Sequence, residues 1–318
     1  MCVDVSIIIV SYNTREVTLA CVRSVFERAN DCTWEIILID NASCDGSVEA
    51  IRAAYPQVKA ITNSENRGFA AANNQGLLIA KGRYLLLLNP DTEVYPETLR
   101  ETLAYAEANP KVGVIGCRVF GDDGKQQSTL FRVKRVSDVA INALVPNRLM
   151  RRTRWLGRCR YAGIDLDVAQ SVEIVAGCFM FVRRSAFETV GGMDEAFFMY
   201  GEEAEWCHRF RRHGWEVRYF PGASILHYGG VSTDRHPAQM NLAMAKSNLL
   251  LVQKTQGRGA AYLANVCMLI RDVPRAVVWH ILSPFARGRE SASLKSLKRA
   301  SERALLHVSG LVRFNWYS

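Results

Sequence analysis

Short apolar runs alternate with longer amphipathic stretches over the first third of the chain. Val5–Val10, Glu35–Ile39, Val58–Ile61, Tyr84–Leu88 and Val112–Ile115 have the length and composition of strands. Between them, Arg15–Arg28, Ser47–Ala54, Phe69–Ala80 and Pro96–Asn109 carry helical spacing, the last opening on Pro96 and Glu97, which suit a first helical turn. Strand and helix in alternation predict βαβ units, a parallel sheet and right-handed crossovers. A run such as Tyr84–Leu88, apolar at every position, predicts a strand covered on both faces.

The pattern breaks down over residues 121–172, a basic, irregular stretch expected to be an insertion or flap. It returns with a strand at Glu173–Val182, a short helix from Arg184, a loop at Gly191-Gly192, a helix opening near Glu202, and extended segments at Val217–Phe220 and Ser224–Tyr228. From Ala238 onward the chain reads as helices. In Ser293–Phe314, Leu294, Leu297, Ala304, Leu305, Val308, Leu311 and Val312 fall near one face, while Lys295, Lys298, Arg299 and Arg303 fall elsewhere. Such a helix suits either an anionic membrane surface or packing against the preceding domain. The expected organisation is an α/β domain over residues 1–237, including the 121–172 insertion, and a basic helical tail over 238–318.

Charge changes this picture more than composition does. The chain is 49% hydrophobic and 22% charged, ordinary values for a globular protein. Its net charge is +9, and from Asn241 onward twelve Lys or Arg face three acids, which accounts for the whole excess. A second basic cluster holds Arg148, Arg151, Arg152, Arg154, Arg158 and Arg160. These regions suit anionic lipid or phosphorylated ligands; nucleic acid is not expected, because no recognition motif accompanies the charge. Nine scattered cysteines without a Cys-x-x-Cys pair point to a reducing compartment. No leader is visible before the first strand, and no apolar stretch reaches the roughly 20 residues that span a bilayer. The expected location is therefore cytoplasmic, at the inner face of the cell membrane.

Several residues with chemistry fall where predicted strands end. Asn89-Pro90-Asp91 follows Tyr84–Leu88, and open α/β sheets bind ligands at that edge. Asp91 there can hold a hard divalent cation, although Asn-Pro-Asp also makes a turn. Ser11-Tyr12-Asn13-Thr14 follows the first strand and Asp40-Asn41 ends the second, where a carboxylate can accept hydrogen bonds from a base or ribose, or can cap the next helix. Arg67, opening a helix of small residues, offers a contact to an anionic group or serves only helix packing. Glu202, Glu203 and Glu205 open the aromatic-rich helix that carries Arg209. They complement its dipole, and one beside apolar rings can act as a general base. His227, between apolar neighbours, fits a core histidine or a further metal ligand.

Taken in order, SIIIVSYN at Ser6–Asn13, IDNASCDGS at Ile39–Ser47, NRGFAAANNQG at Asn66–Gly76, LLLNPDTEV at Leu86–Val94, the run Gly177–Arg209 and HYGG at His227–Gly230 resemble the family 2 glycosyltransferases, and among them the bacterial rhamnosyltransferase-like subgroup. The resemblance implies an A-type glycosyltransferase fold, a Rossmann-like nucleotide-diphosphate-sugar domain with a mostly parallel central sheet, followed here by the helical extension. It places Ser11, Tyr12, Asn13, Asp40, Asn41 and Arg67 on the nucleotide, and Asn89 and Asp91 at the diphosphate. Asp91 matches the metal-binding position of the family's Asp-x-Asp motif, with Asn89 in place of its first Asp, and His227 matches a histidine that can complete the metal or diphosphate site. Glu203 matches the catalytic base, one methylene longer than the usual Asp, with Gly177, Glu202 and Arg209 in acceptor or supporting positions.

The implied activity is inverting, metal-dependent transfer of a sugar to a hydroxyl of a glycan or polyprenyl-diphosphate-linked acceptor, using Mg2+ or Mn2+. Rhamnose from dTDP-rhamnose leads the donors, UDP-sugars follow, and a homo-oligomer remains open. The rival readings are a sugar-nucleotide nucleotidyltransferase, which needs a glycine-rich basic loop where Ser11–Thr14 stands, and a non-catalytic basic binding protein. A dinucleotide oxidoreductase is disfavoured because no G-x-G-x-x-G follows the first strand.

Overall fold

The first apolar run forms β1 (Val5–Ser11), buried at all seven positions. The structure, a computed structural model, describes residues 3–144, 165–229, 237–285 and 292–312. β1 lies between β2 (Trp34–Asp40) and β4 (Tyr84–Leu88), parallel to both, and β3 (Lys59–Thr62) extends the sheet beyond β2. The intervening helices are α1 (Arg15–Arg28), α2 (Ser47–Ala54) and α3 (Gly68–Ile79). Alternating residues of the central strands feed one continuous core, which includes Ile7, Ile9, Leu38, Leu86 and Phe181.

Beyond β4 the sheet turns mixed. β10 (Phe179–Arg183) inserts antiparallel between β4 and β6 (Val112–Phe120). β11 (Glu216–His227) runs parallel to β6, and the short β5 (Thr92–Val94) and β8 (Gln170–Ser171) pair antiparallel to β11. α4 (Thr98–Ala108) begins two residues later than Pro96, because Glu97 sits in left-handed backbone at φ 67° and cannot continue a helix. A two-stranded sheet of β7 (Leu130–Phe131) and β9 (Ile174–Val175) stands apart.

Two strand predictions change form. The segment Glu173–Val182 divides between two sheets, β9 in one and β10 in the other. The break falls at Ala176-Gly177-Cys178, where the Ala176 amide donates to the Thr129 carbonyl (2.9 Å) and the Cys178 carbonyl accepts from the Asn89 amide (3.1 Å). A glycine without a side chain to pack is a natural place for a strand to leave its sheet. Conversely, Val217–Phe220 and Ser224–Tyr228 are parts of one strand, β11, interrupted by a bulge. Phe220 pairs with Cys117 and Ser224 with the next residue, Arg118, so Pro221-Gly222-Ala223 bow out unpaired, as a residue lacking an amide proton requires.

α6 (Arg184–Val190) and α7 (Glu202–Arg212) complete the sheet-bearing unit, which comprises Met1–Arg132, Gly163–Phe198 and Glu202–Arg235. A second unit comprises Val133–Ala162, Met199–Gly201 and His236–Ser318. Its described helices are α5 (Val136–Leu144), α8 (Pro237–Gln256), α9 (Arg258–Leu282) and α10 (Ala292–Val312), and its apolar core includes Val139, Leu249, Val252, Ala264 and Met268. Residues 136–144 are thus helical within the stretch expected to be irregular; the arginine cluster 148–160 lies outside the described residues.

Within the helical unit, the fully buried Asp272 of α9 receives hydrogen bonds from Arg271 (2.8 and 3.0 Å) and from Arg303 of α10 (2.8 and 3.2 Å). Burial alone raises a carboxyl pKa, but hydrogen bonds from His307, Arg303 and Arg271 outweigh it and hold Asp272 far below the usual carboxylate range. Ala300, Ala304 and His307 of α10 are buried, so this amphipathic helix spends its inner face on its own helical unit.

Candidate active site

The edge beyond the β4 carboxyl end gathers most of the candidate residues. Asp91 lies three residues past β4 and is 5% exposed. The antiparallel pairing of β5 with β11 sets His227 opposite Thr92, and the Tyr228 amide donates to the Asp91 carbonyl (3.0 Å). This backbone register brings His227 Nε2 to 3.4 Å from Asp91 Oδ1.

The other imidazole nitrogen is fixed by Gln127. The Gln127 side-chain amide donates from Nε2 to the His227 carbonyl (2.8 Å), so its Oε1, 2.9 Å from His227 Nδ1, must be the acceptor there. Nδ1 therefore carries a proton, and the nitrogen turned towards Asp91 is the one left free to take a proton or a metal. Two states satisfy the pair: an imidazolium bonded to the carboxylate, or a neutral imidazole sharing a cation with it. Among the described residues no group of three His, Cys, Asp or Glu side chains is placed to hold a metal ion. One carboxylate and one imidazole nonetheless suit Mg2+ or Mn2+ bound together with substrate phosphate oxygens, since such ions commonly take few protein ligands. The donor set thus fits the implied cation. Sequence reading singled out Asp91 and His227 and missed Gln127, which lies in the irregular stretch and is recognisable only through the strand pairing that brings it to His227.

On the nucleotide side, Asp40 is buried at the end of β2. Its Oδ2 accepts from the Ser43 amide (2.9 Å), while its Oδ1 is buried without a hydrogen-bond partner among the described residues. A buried carboxylate oxygen left in this way can receive a donor from a ligand. The loops around it are constrained. Asn13 (φ 53°) accepts from the Cys44 amide at its Oδ1 (2.8 Å) and donates its own amide to Ser43 Oγ (2.9 Å), and Ala42 holds an unusual φ of 66°. Tyr12 is half-buried beside them.

Other nucleotide-side candidates are structural in their visible contacts. Ser11 is buried, its hydroxyl shared with Thr14 and Thr18 (3.2 and 3.3 Å). Asn41 ties its own loop to the one after β3: it donates to Asn66 Oδ1 and the Gly68 carbonyl (both 3.1 Å) and accepts from Asn63 (2.9 Å) and the Arg67 amide (3.3 Å). The Arg67 guanidinium is 41% exposed and 3.9 Å from Glu195. Asn89 is half-buried; its carbonyl accepts from the Thr92 hydroxyl (2.7 Å).

The acidic helix α7 divides its carboxylates by task. Glu205 is buried and bound by Arg209 (2.9 Å to each oxygen), which also donates to the Val190 and Gly192 carbonyls (2.9 and 2.6 Å). Arg209 therefore anchors the loop ahead of the helix. Glu202 is 5% exposed with Oε2 unpartnered among the described residues; burial, then the charge of Glu203, pushes its pKa well above the usual range. Glu203 is half-buried. A Cβ at Gly177 would lie 3.7 Å from the Phe69 ring and 3.9 Å from the Glu203 Cβ, so that glycine leaves a methyl-sized space between ring and carboxylate. Cys178 links the two halves of the edge. Its thiol is pushed up to about 12 by burial, with the charges of Asp91 and Glu203 both adding.

Comparison with known proteins identifies the family. The family profile described as "Glycosyl transferase family 2" matches residues 6–191, more than half of the chain, and one described as "N-terminal domain of galactosyltransferase" matches 161–233. The N-acetylglucosaminyl-diphospho-decaprenol L-rhamnosyltransferase of Mycobacterium tuberculosis is 28% identical over 228 residues, which cover 68% of this chain and 74% of that protein. The low-salt glycan biosynthesis hexosyltransferase Agl10 of Haloferax volcanii is 24% identical over 263 residues, covering 79% and 76%. Among solved structures, the mannosyltransferase PcManGT from Pyrobaculum calidifontis, in complex with GDP-Man and Mn2+, aligns with a TM-score of 0.55 at 16% identity over 95% of this chain and 86% of that one. GalNAc-T7 with UDP, GalNAc and Mn2+ aligns with a TM-score of 0.55 at 18% identity over 79% of this chain, which spans 48% of GalNAc-T7's length. With the sheet, the edge residues and the family profile in agreement, the chain belongs to glycosyl transferase family 2 and has the A-type glycosyltransferase fold.

Proposed function

We propose that this glycosyltransferase moves a sugar from a nucleoside-diphosphate donor, with dTDP-rhamnose the leading choice, to a hydroxyl of a polyprenyl-diphosphate-linked glycan, with inversion at the anomeric carbon. The pairing of Asp91 with a Gln127-oriented His227 at the end of β4 carries this reading, and the names of the mycobacterial and archaeal relatives support the donor and acceptor classes. Asp91 and His227 would hold a divalent cation, which would supply charge stabilisation to the departing nucleoside diphosphate. Asp40 holds the nucleoside through its free oxygen. Glu203 takes the proton from the acceptor hydroxyl as that oxygen bonds to the anomeric carbon; the bond from that carbon to the diphosphate breaks, and its electron pair leaves with the nucleoside diphosphate.

Beside it, burial and the charge of Glu203 raise the Glu202 carboxyl pKa and so favour its neutral form. The sheet-bearing unit is the catalytic part, and the helical unit, which takes in α5 from the stretch expected to be a flap, is the extension that meets the inner face of the membrane. Among the described residues no helix is long and apolar enough to cross a membrane.

The test is a screen of nucleotide sugars with Mn2+ or Mg2+, reading nucleoside diphosphate release. Glu203→Gln is expected to slow transfer by about 10² to 10⁴-fold while nucleotide binding persists. Turnover at the wild-type rate by that variant would remove Glu203 from the role.

A further inference from the structure

The helical unit contains a helix that is apolar outside as well as inside, where Ala261, Ala264, Cys267 and Met268 join the core. In α9 the charged residues Arg271, Asp272 and Arg275 are buried or half-buried, and Asp272 is locked to Arg303 inside the unit. The solvent-facing side is apolar as well. Leu263, Ile270, Val273, Val277 and Ile281 are 38% to 62% exposed. Their spacing of seven, three, four and four residues puts them on one stripe, about 27 Å long at helical rise. Between Gly259 and Leu282 every exposed side chain is apolar or aromatic apart from His280. Single exposed apolar residues need no explanation, but a continuous stripe of them marks a surface that is covered in use.

The charge around the stripe selects what covers it. Across α8, α9 and α10 the acids are Asp272 and Glu302, the first fully buried and the second half-buried and bonded to Asn241. Lys254, Arg258, Lys298 and Arg299 are exposed. A second copy of the chain would bring the same positive charge against itself. An anionic bilayer brings the opposite charge together with an apolar interior.

We infer that the exposed stripe of α9 is the surface by which this protein lies on an anionic lipid bilayer, with the basic residues of the same helical unit drawn to the headgroups. The inference rests on the proposed lipid-linked acceptor and adds the face that meets the membrane. It moves that role from α10, whose inner face is occupied, to α9. Tyr262, exposed at the edge of the stripe, has the half-polar ring that suits the headgroup boundary.

Ile270→Glu with Val277→Glu is the decisive pair, read by co-sedimentation of the full chain with phosphatidylcholine vesicles, with and without phosphatidylglycerol. The wild type is expected to bind the anionic vesicles, and the double variant to lose at least about tenfold in binding while keeping the wild-type melting temperature and nucleotide affinity. Lys298→Glu with Arg299→Glu should weaken binding to anionic vesicles only. A second variant, Val277→Trp, reports directly: its fluorescence should shift to the blue on adding anionic vesicles. Unchanged vesicle binding by the double variant overturns the proposal, as does an unshifted emission from Val277→Trp. So does a dimer in light scattering that becomes a monomer in the double variant while vesicle binding is absent throughout. Loss of nucleotide turnover by the wild type would strike the glycosyl-transfer reading and leave the vesicle result standing.

Discussion

Gln127 decides what His227 can do. Its amide is read out by a backbone carbonyl on one side and an imidazole on the other, which fixes the imidazole tautomer without any charged partner. Gln127→Leu is expected to weaken Mn2+ binding about 10- to 100-fold, measured by electron paramagnetic resonance of free Mn2+, with little change in the melting temperature. Glu202 makes a second residue-scale case. Burial raises its carboxyl pKa, so between the ordinary carboxylate range and that raised value the folded state keeps a proton that the unfolded state has lost. Stability from this group is therefore complete in acid and declines as pH rises. Glu202→Gln, always neutral, is expected to melt higher than the wild type at mildly alkaline pH, with the gap closing towards pH ~4. Asp91 could be singled out in the sequence because a carboxylate after an apolar strand has a position at a sheet edge, and Glu203 because it stands in the acidic first turn of an aromatic-rich helix. Gln127 could not, because its neighbours have no period.

At the scale of elements, the strands and helices of the first hundred residues follow their patterns closely: β1 and β4 are buried along their whole length and β2 over most of its own, while β3 at the end of the sheet is only partly covered. Glu173–Val182 misled because its composition is continuous while its hydrogen bonds divide at Gly177 between two sheets. The helices of the second unit are held by a different device. Asp272 faces Arg271, Arg303 and His307 in a buried cluster between α9 and α10. Arg303→Leu removes a guanidinium from an interior carboxylate and is expected to cost roughly 3 to 5 kcal/mol in urea unfolding of the full chain. Lys298→Leu, on the exposed side of the same helix, should change stability by no more than about 0.5 kcal/mol.

Over the whole molecule, the candidate ligand residues come from five separate stretches, near positions 12, 40, 67, 91 and 227, all within the sheet-bearing unit. Donor nucleotide with Mn2+ is expected to slow amide hydrogen exchange at those loops and to leave α8 and α9 unchanged. Equal slowing throughout α9 would place ligand contacts outside the sheet-bearing unit. The position of the first four loops at one edge was readable from alternation alone, whereas that of 227 follows from the mixed pairing of β10 and β11. The exposed apolar stripe of α9 was not readable, because helical periodicity identifies an apolar face without saying whether it turns inward.

The bow at Pro221–Ala223 gives β11 a place to absorb changes in length. Slack taken up there leaves Ser224–His227 in register with their neighbours, so the imidazole keeps its address opposite Thr92. One residue added after Ser224 has no such refuge: the strand must slip, successive side chains exchange sides, and the metal-facing position passes to an apolar leucine or a tyrosine. Descendants of this chain are thus free to lengthen or shorten at Gly222, while the last four residues of the strand are fixed in number.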